Sequence, residues 1–176
     1  MAGREYVNDS LIKKYLTENM ENIIQKIESV FNYNNINIRD IPIVLGQIPD
    51  ADGYPNFQSP KLGRYDFDEY KITFNPQGMD KKVFVLNKSI CGDNIYMFFD
   101  LTVIHEFMHV YQDKIEHKTM EHGKKSLEED ANAKALRVFT EAYPADTKIK
   151  KKIFDYFIEI SEHKLPDGVT TDCLLQ

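Results

Sequence analysis

The sequence lacks any long apolar run. Nowhere do the roughly 18–20 consecutive apolar residues of a membrane-spanning helix occur, and residues 1–14 (MAGREYVNDSLIKK) have no apolar core of the kind that marks a secretory signal. The expectation is a cytoplasmic protein with no membrane partner. A cysteine framework is missing as well: Cys91 and Cys173 are the only cysteines and form no CxxC spacing, so they read as reduced thiols rather than as a staple or a thiolate metal site. Positive charge is in deficit. Against 28 Asp and Glu stand 22 Lys and Arg, a net charge of −6, whereas a protein that grips phosphates carries a basic footprint. Nucleic acid is therefore not an expected partner.

What is present fits one globular unit. A chain of 176 residues, 42% hydrophobic and 28% charged, has the size and composition of a single domain spanning 1–176. At that length about 70% of the unfolded surface is buried on folding, so no metal is needed merely to hold the chain together. The distribution of histidine is uneven. Four of the five, His105, His109, His117 and His122, fall within eighteen residues.

Apolar residues at Leu11, Ile12, Tyr15, Leu16, Met20, Ile23, Ile24, Ile27, Val30 and Phe31 have the three-and-four spacing of an amphipathic helix over about 10–31, with Ser10 or Asp9 as its N-cap. A short extended run follows at 41–45. The prolines and glycines of 46–64 then predict a long surface loop. Tyr70, Ile72 and Phe74 alternate with Lys71, Thr73 and Asn75, the period-two pattern of a half-buried strand. Asn75-Pro76-Gln77-Gly78 reads as a turn and 82–86 (KVFVL) as a second strand, so 70–75 and 82–86 are expected to pair as a hairpin. Three helices complete the chain, at about 100–116, 126–142 and 147–163. The fold class is therefore α+β: an N-terminal helix, a small and mainly antiparallel sheet, then three helices.

The first of these three helices carries His105-Glu106-Phe107-Met108-His109, an H-E-x-x-H pattern. Positions i and i+4 stand one above the other on a helix, about 6 Å apart along its axis. Two imidazoles so placed can converge on one Zn²⁺, with Glu106 beside them as general base toward water. A catalytic site needs a third protein ligand and an open fourth position. In helical register Ala131, Ala135, Val138, Phe139 and Ala142 form the inward stripe of the next helix. Glu128 then stands one turn before Asn132 on the side facing the histidines, while Glu129 and Asp130 turn to solvent. Glu128 is the expected third ligand, and Asn132 is expected to accept a hydrogen bond from the outer N–H of a ligating histidine. His122 is the competing third ligand.

His105-Glu106-x-x-His109 followed by Glu128-x-x-Ala131-Asn132 resembles the gluzincin metallopeptidases, in particular minimal ImmA/IrrE-like members. The resemblance spans about 70–142. It implies a zincin-like fold, zinc held by His105, His109 and Glu128, a peptide or protein substrate, and a strand, 70–75 or 82–86, that pairs with the extended substrate. His122-Gly123 is instead similar to the SprT-like metallopeptidases, in which the third ligand would be His122. Tyr111, Tyr143 and His122 are candidates for stabilising an oxyanion. His117 and His163 read as surface histidines, and Lys148 with Lys150, Lys151 and Lys152 as a solvated face above Ile149, Ile153, Tyr156, Phe157 and Ile160. A zinc-containing binding module with little activity, or a metal-free interaction protein, are the non-enzymatic alternatives.

Overall fold

The computed structural model describes residues 9–49, 61–79, 94–144, 146–160 and 165–168. Its elements are α1 (Asp9–Glu28), β1 (Ile43–Leu45), β2 (Gly63–Asp66), β3 (Lys71–Phe74), α2 (Asn94–Lys114), α3 (Lys124–Ala142) and α4 (Thr147–Ile160). The class is α+β. Helix α1 buries Leu16, Ile23, Ile24 and Ile27 and exposes Lys13, Lys14, Thr17 and Glu18, so the apolar spacing does what the sequence predicts. It stops three residues short of Phe31. Beyond its end Asn34 adopts a left-handed φ of 48°, a conformation asparagine tolerates better than most residues, and the turning chain still carries Phe31 and Tyr33 into the core.

The sheet has the order β1-β3-β2. Strand β3 pairs in parallel with β1, Ile43 opposite Ile72, and antiparallel with β2, Tyr65 opposite Ile72. The sheet is thus mixed rather than mainly antiparallel. The predicted alternation holds over 71–74, where Ile72 and Phe74 are buried and Lys71 and Thr73 half-buried, but not at its ends: Tyr70 is exposed in the turn and Asn75 is buried. The antiparallel partner, however, is 63–66 upstream, at the end of the predicted loop; the expected partner 82–86 lies outside the described residues. An Asx turn closes this hairpin: Asp66 Oδ1 accepts from the backbone N–H of Asp68 and of Glu69, each at 2.9 Å. Because β3 is bonded on both sides, the expected pairing of 70–75 with a peptide is excluded. Among the described residues the edges of this sheet are β1 and β2.

Helix α2 is the axis of the packing. Every residue from Phe98 to Val110 is buried, as in a helix covered all round by other elements, and α1, α3, α4 and β2 pack against it. It begins at Asn94, earlier than predicted. Ala131 and Ala135, both fully buried, give α3 a small-residue face toward α2. Helix α4 buries Ile153, Phe154 and Phe157, but Ile149 is exposed. Lys150 is not part of a solvated face: it is buried and donates from Nζ to Thr140 O at 3.0 Å, near the end of α3. Two polar anchors lock α2 in place. Tyr33 Oη donates to Phe107 O at 2.8 Å, and the buried Asp100 accepts from Tyr15 Oη and, at 2.9 Å, from Tyr143 Oη. Burial pushes the Asp100 carboxyl pKa up, and the two tyrosine hydrogen bonds oppose that shift without cancelling it. Among the described residues no helix is long and apolar enough to cross a membrane.

Candidate metal centre

One helical turn of α2 brings His105 and His109 together, their ring centroids 4.8 Å apart and their planes at 88°. Helix α3 supplies the third group. Its buried positions Leu127, Ala131 and Ala135 face inward, which swings Glu128 over the two imidazoles. Glu128 Oε2 lies 3.0 Å from His105 Nε2 and Oε1 lies 3.2 Å from His109 Nε2. His105, His109 and Glu128 can each offer a ligand atom, all within 4.8 Å of one another.

The electrostatics follow from one carboxylate shared between two rings. Burial alone would raise the pKa of Glu128, yet the hydrogen bonds and charges of His105 and His109 hold it far below the usual carboxylate range. Burial likewise disfavours the charged form of His109. The hydrogen bond His109 donates to Glu128 and the charges of Glu106 and Glu128 outweigh that and push His109 up to about 9. In the metal-free chain the centre is therefore an ion-paired cluster. The same atoms could hold a metal ion such as zinc. Tetrahedral ligands at ~2.0–2.1 Å from Zn²⁺ lie about 3.3 Å from one another, close to the observed N···O separations, and a His-His-carboxylate donor set is one that catalytic zinc uses.

Glu106 projects beside the pair and is buried. Burial pushes its pKa up, while the charges of His105 and His109 and a backbone hydrogen bond from Tyr65 pull it back. Strand β2 passes directly over it. A Cβ at Gly63 would come within 2.9 Å of Glu106 Cγ and 3.0 Å of Oε1, so only glycine lets the strand approach this closely. The hydroxyl of Tyr65, farther along β2, donates to Asp113 Oδ2 at 2.6 Å and fastens the strand to α2. Two aromatic rings flank the histidines: Phe67 against His109 at 6.0 Å and Phe157 against His105 at 5.8 Å.

The remaining candidates are elsewhere. His122 is exposed in a short turn after Thr119, where its Nδ1 accepts from Thr119 N at 3.0 Å, so it caps that turn and does not join His105 and His109. His117 is exposed, and His163 is outside the described residues. Tyr143 spends its hydroxyl on Asp100. Tyr111, about 200° round the helix from His109, packs against Phe31 and Tyr33. The hydrogen bond expected between a histidine and Asn132 is not made. His105 Nδ1 is buried without a partner, and His109 Nδ1 meets Gln112 Oε1 at 2.8 Å. Asp130, expected in solvent, is half-buried and accepts from Gln112 Nε2 at 2.7 Å. Gln112 and Gly63 are the residues that sequence reasoning missed; for Gln112 a signal existed, since it stands three residues after His109 on the same helix, within reach of its ring. Compared with protein-family models, curated proteins and solved structures, the chain finds no match, so its functional reading stands on its own geometry.

Proposed function

We propose that the protein is a zinc-dependent peptidase of the zincin-like, gluzincin kind, with His105, His109 and Glu128 as metal ligands and Glu106 as general base. The observation that carries this reading is the convergence of two buried imidazoles and a carboxylate from a second helix, beside a further buried glutamate. When bound there, a zinc ion supplies a Lewis acid that polarises a carbonyl and lets water lose its proton near neutral pH. Glu106 takes that proton on its carboxylate as the water oxygen attacks the peptide carbonyl carbon. It then delivers the proton to the departing amide nitrogen as the C–N bond breaks. Phe67 and Phe157 restrict the solvent beside the histidines and keep the surroundings apolar. Strand β2, an edge of the sheet among the described residues and lying over Glu106, is the strand against which an extended substrate would be laid.

The test uses fluorescein-labelled casein and a mixed peptide library as substrates, with zinc measured by elemental analysis. The wild type should hold about one equivalent of zinc after metal-replete expression and cleave at least one of the probes. Glu106→Gln should keep the zinc and lose hydrolysis, and His109→Ala should lose both. Full activity in Glu106→Gln, or less than about half an equivalent of zinc in the wild type, would overturn the reading.

A further inference from the structure

We propose that Gln112 is a positioning residue of the metal centre: it fixes which nitrogen of His109 faces the metal and couples that ring to the helix that carries Glu128. The inference rests on the reading of His105, His109 and Glu128 as ligands.

Gln112 is 0% exposed and uses both ends of its amide. Nε2 donates to Leu127 O at 2.8 Å and to Asp130 Oδ2 at 2.7 Å, and Oε1 lies 2.8 Å from His109 Nδ1. Chemistry alone orients this amide. The carbonyl of Leu127 can only accept, so the NH₂ group must face it and Oε1 must face His109. An amide oxygen carries no proton. The hydrogen in the contact therefore belongs to His109 Nδ1, and Nε2, the nitrogen that already points at Glu128, is the one left to offer a lone pair to a metal once its own proton is displaced.

The far end of the relay is held equally firmly. Lys134 Nζ donates to both oxygens of Asp130 at 2.6 Å, and Lys118 Nζ lies 3.3 Å from Oδ2. Both lysines also pair with Glu116, at 3.0 and 2.7 Å. Two ammonium groups thus alternate with two carboxylates between α3 and the segment that joins it to α2. Leu127 immediately precedes Glu128. One buried amide therefore links the ring of one ligand to the backbone next to another, and it sets the two helices in the register the centre requires. His105 has no equivalent, its Nδ1 being buried without a partner.

The experiment compares the wild type with Gln112→Leu, which keeps the volume but removes the amide, and Gln112→Glu, which can accept from Nδ1–H but cannot donate to Leu127. Two quantities are read on the full chain: the proton NMR resonance of His109 Nδ1–H in the metal-free protein, and zinc affinity by competition with a chromogenic chelator. The wild type should show a downfield, exchange-protected resonance that Gln112→Leu loses and Gln112→Glu recovers. Zinc affinity should fall about 10–100-fold in Gln112→Leu and largely return in Gln112→Glu; a role in packing alone would leave both variants alike. Should Gln112→Leu fail to fold, Asp130→Ala removes the far anchor and is expected to weaken zinc by about threefold or more. Persistence of the resonance in Gln112→Leu, or zinc affinity within about twofold of wild type in Gln112→Leu or Asp130→Ala, would overturn the proposal. A wild type that binds no zinc sinks the metal-centre reading instead, and the metal-free resonance still decides what Gln112 does.

Discussion

Gly63 and Glu106 are in contact: strand β2 runs so close to α2 that the smallest side chain at position 63 would stand 2.9 Å from Glu106 Cγ. Glycine there leaves Glu106, the proposed general base, its place. Gly63→Ala should therefore push Glu106 aside while leaving His105, His109 and Glu128 untouched. The expected outcome is unchanged zinc content with hydrolysis reduced about 10–100-fold, the scale on which an ångström of misplacement acts. Parallel zinc and rate measurements check it, and an undiminished rate would show that the contact does not constrain Glu106.

The two candidates for third ligand separate cleanly. Glu128→Ala removes the group that bridges both imidazoles, so zinc should drop below about half an equivalent under conditions that saturate the wild type. His122→Ala touches only an exposed turn and should leave zinc and activity unchanged. Elemental analysis of both variants decides the matter, and zinc loss in the histidine variant would restore the SprT-like alternative.

The ion-paired cluster makes the metal-free protein sensitive to pH in a defined direction. His109 is raised from 6.5 in an unconstrained chain to about 9 in the fold, so the stability it contributes is complete below 6.5 and lost as pH rises through about 9. Glu128 is depressed from 4.5, so its contribution is present above 4.5 and lost on acidification. With EDTA, Tm should be highest between these limits and fall on the alkaline side by pH 9. Zinc bound by the proposed ligands would take the place of the His109 proton, so the loaded protein should not show that alkaline fall, and zinc affinity should rise over the same interval. Thermal unfolding followed by circular dichroism across pH, with and without zinc, tests both statements.

Asp100 serves stability rather than chemistry. It is the buried acceptor for Tyr15 of α1 and for Tyr143 at the end of α3. Asp100→Ala leaves two tyrosine hydroxyls without that acceptor and should cost about 1–3 kcal/mol, a fall in Tm of roughly 2–4 °C for each kcal/mol at this chain length. Zinc binding at temperatures where the variant is folded should match the wild type. A loss of zinc there would mean that Asp100 acts on the centre itself.

The helices and the grouping of His105, His109 and Glu128 were legible in the sequence because both depend largely on local spacing. The apolar pattern between Leu16 and Ile27 needs only a 3.6-residue period, and His105, Glu106 and His109 are fixed relative to one another by a single turn of helix. Glu128 followed from the small residues Ala131 and Ala135, which declare the face that α3 turns inward. The sheet was less readable. Gly63-Arg64-Tyr65-Asp66 is too short and too polar to register as a strand amid prolines and glycines, and the parallel pairing of β1 with β3 leaves no mark on either segment. Gln112 was legible only in part: its spacing from His109 is local, but its other contacts are not. Its role depends on Leu127 O and Asp130, which come within reach only after α3 has packed on α2.

The strand order also sets a sequence of events during synthesis. Among the described residues, β1 and β2 each pair with β3 and with no other strand, yet both leave the ribosome before it does. Ile43 waits for Ile72, about 30 residues further on, which at roughly 5–20 residues per second means a delay on the order of seconds. For that interval Ile43, Val44 and Leu45 lack the strand they pair with in the fold. The three described strands can join only once the middle one has been synthesised.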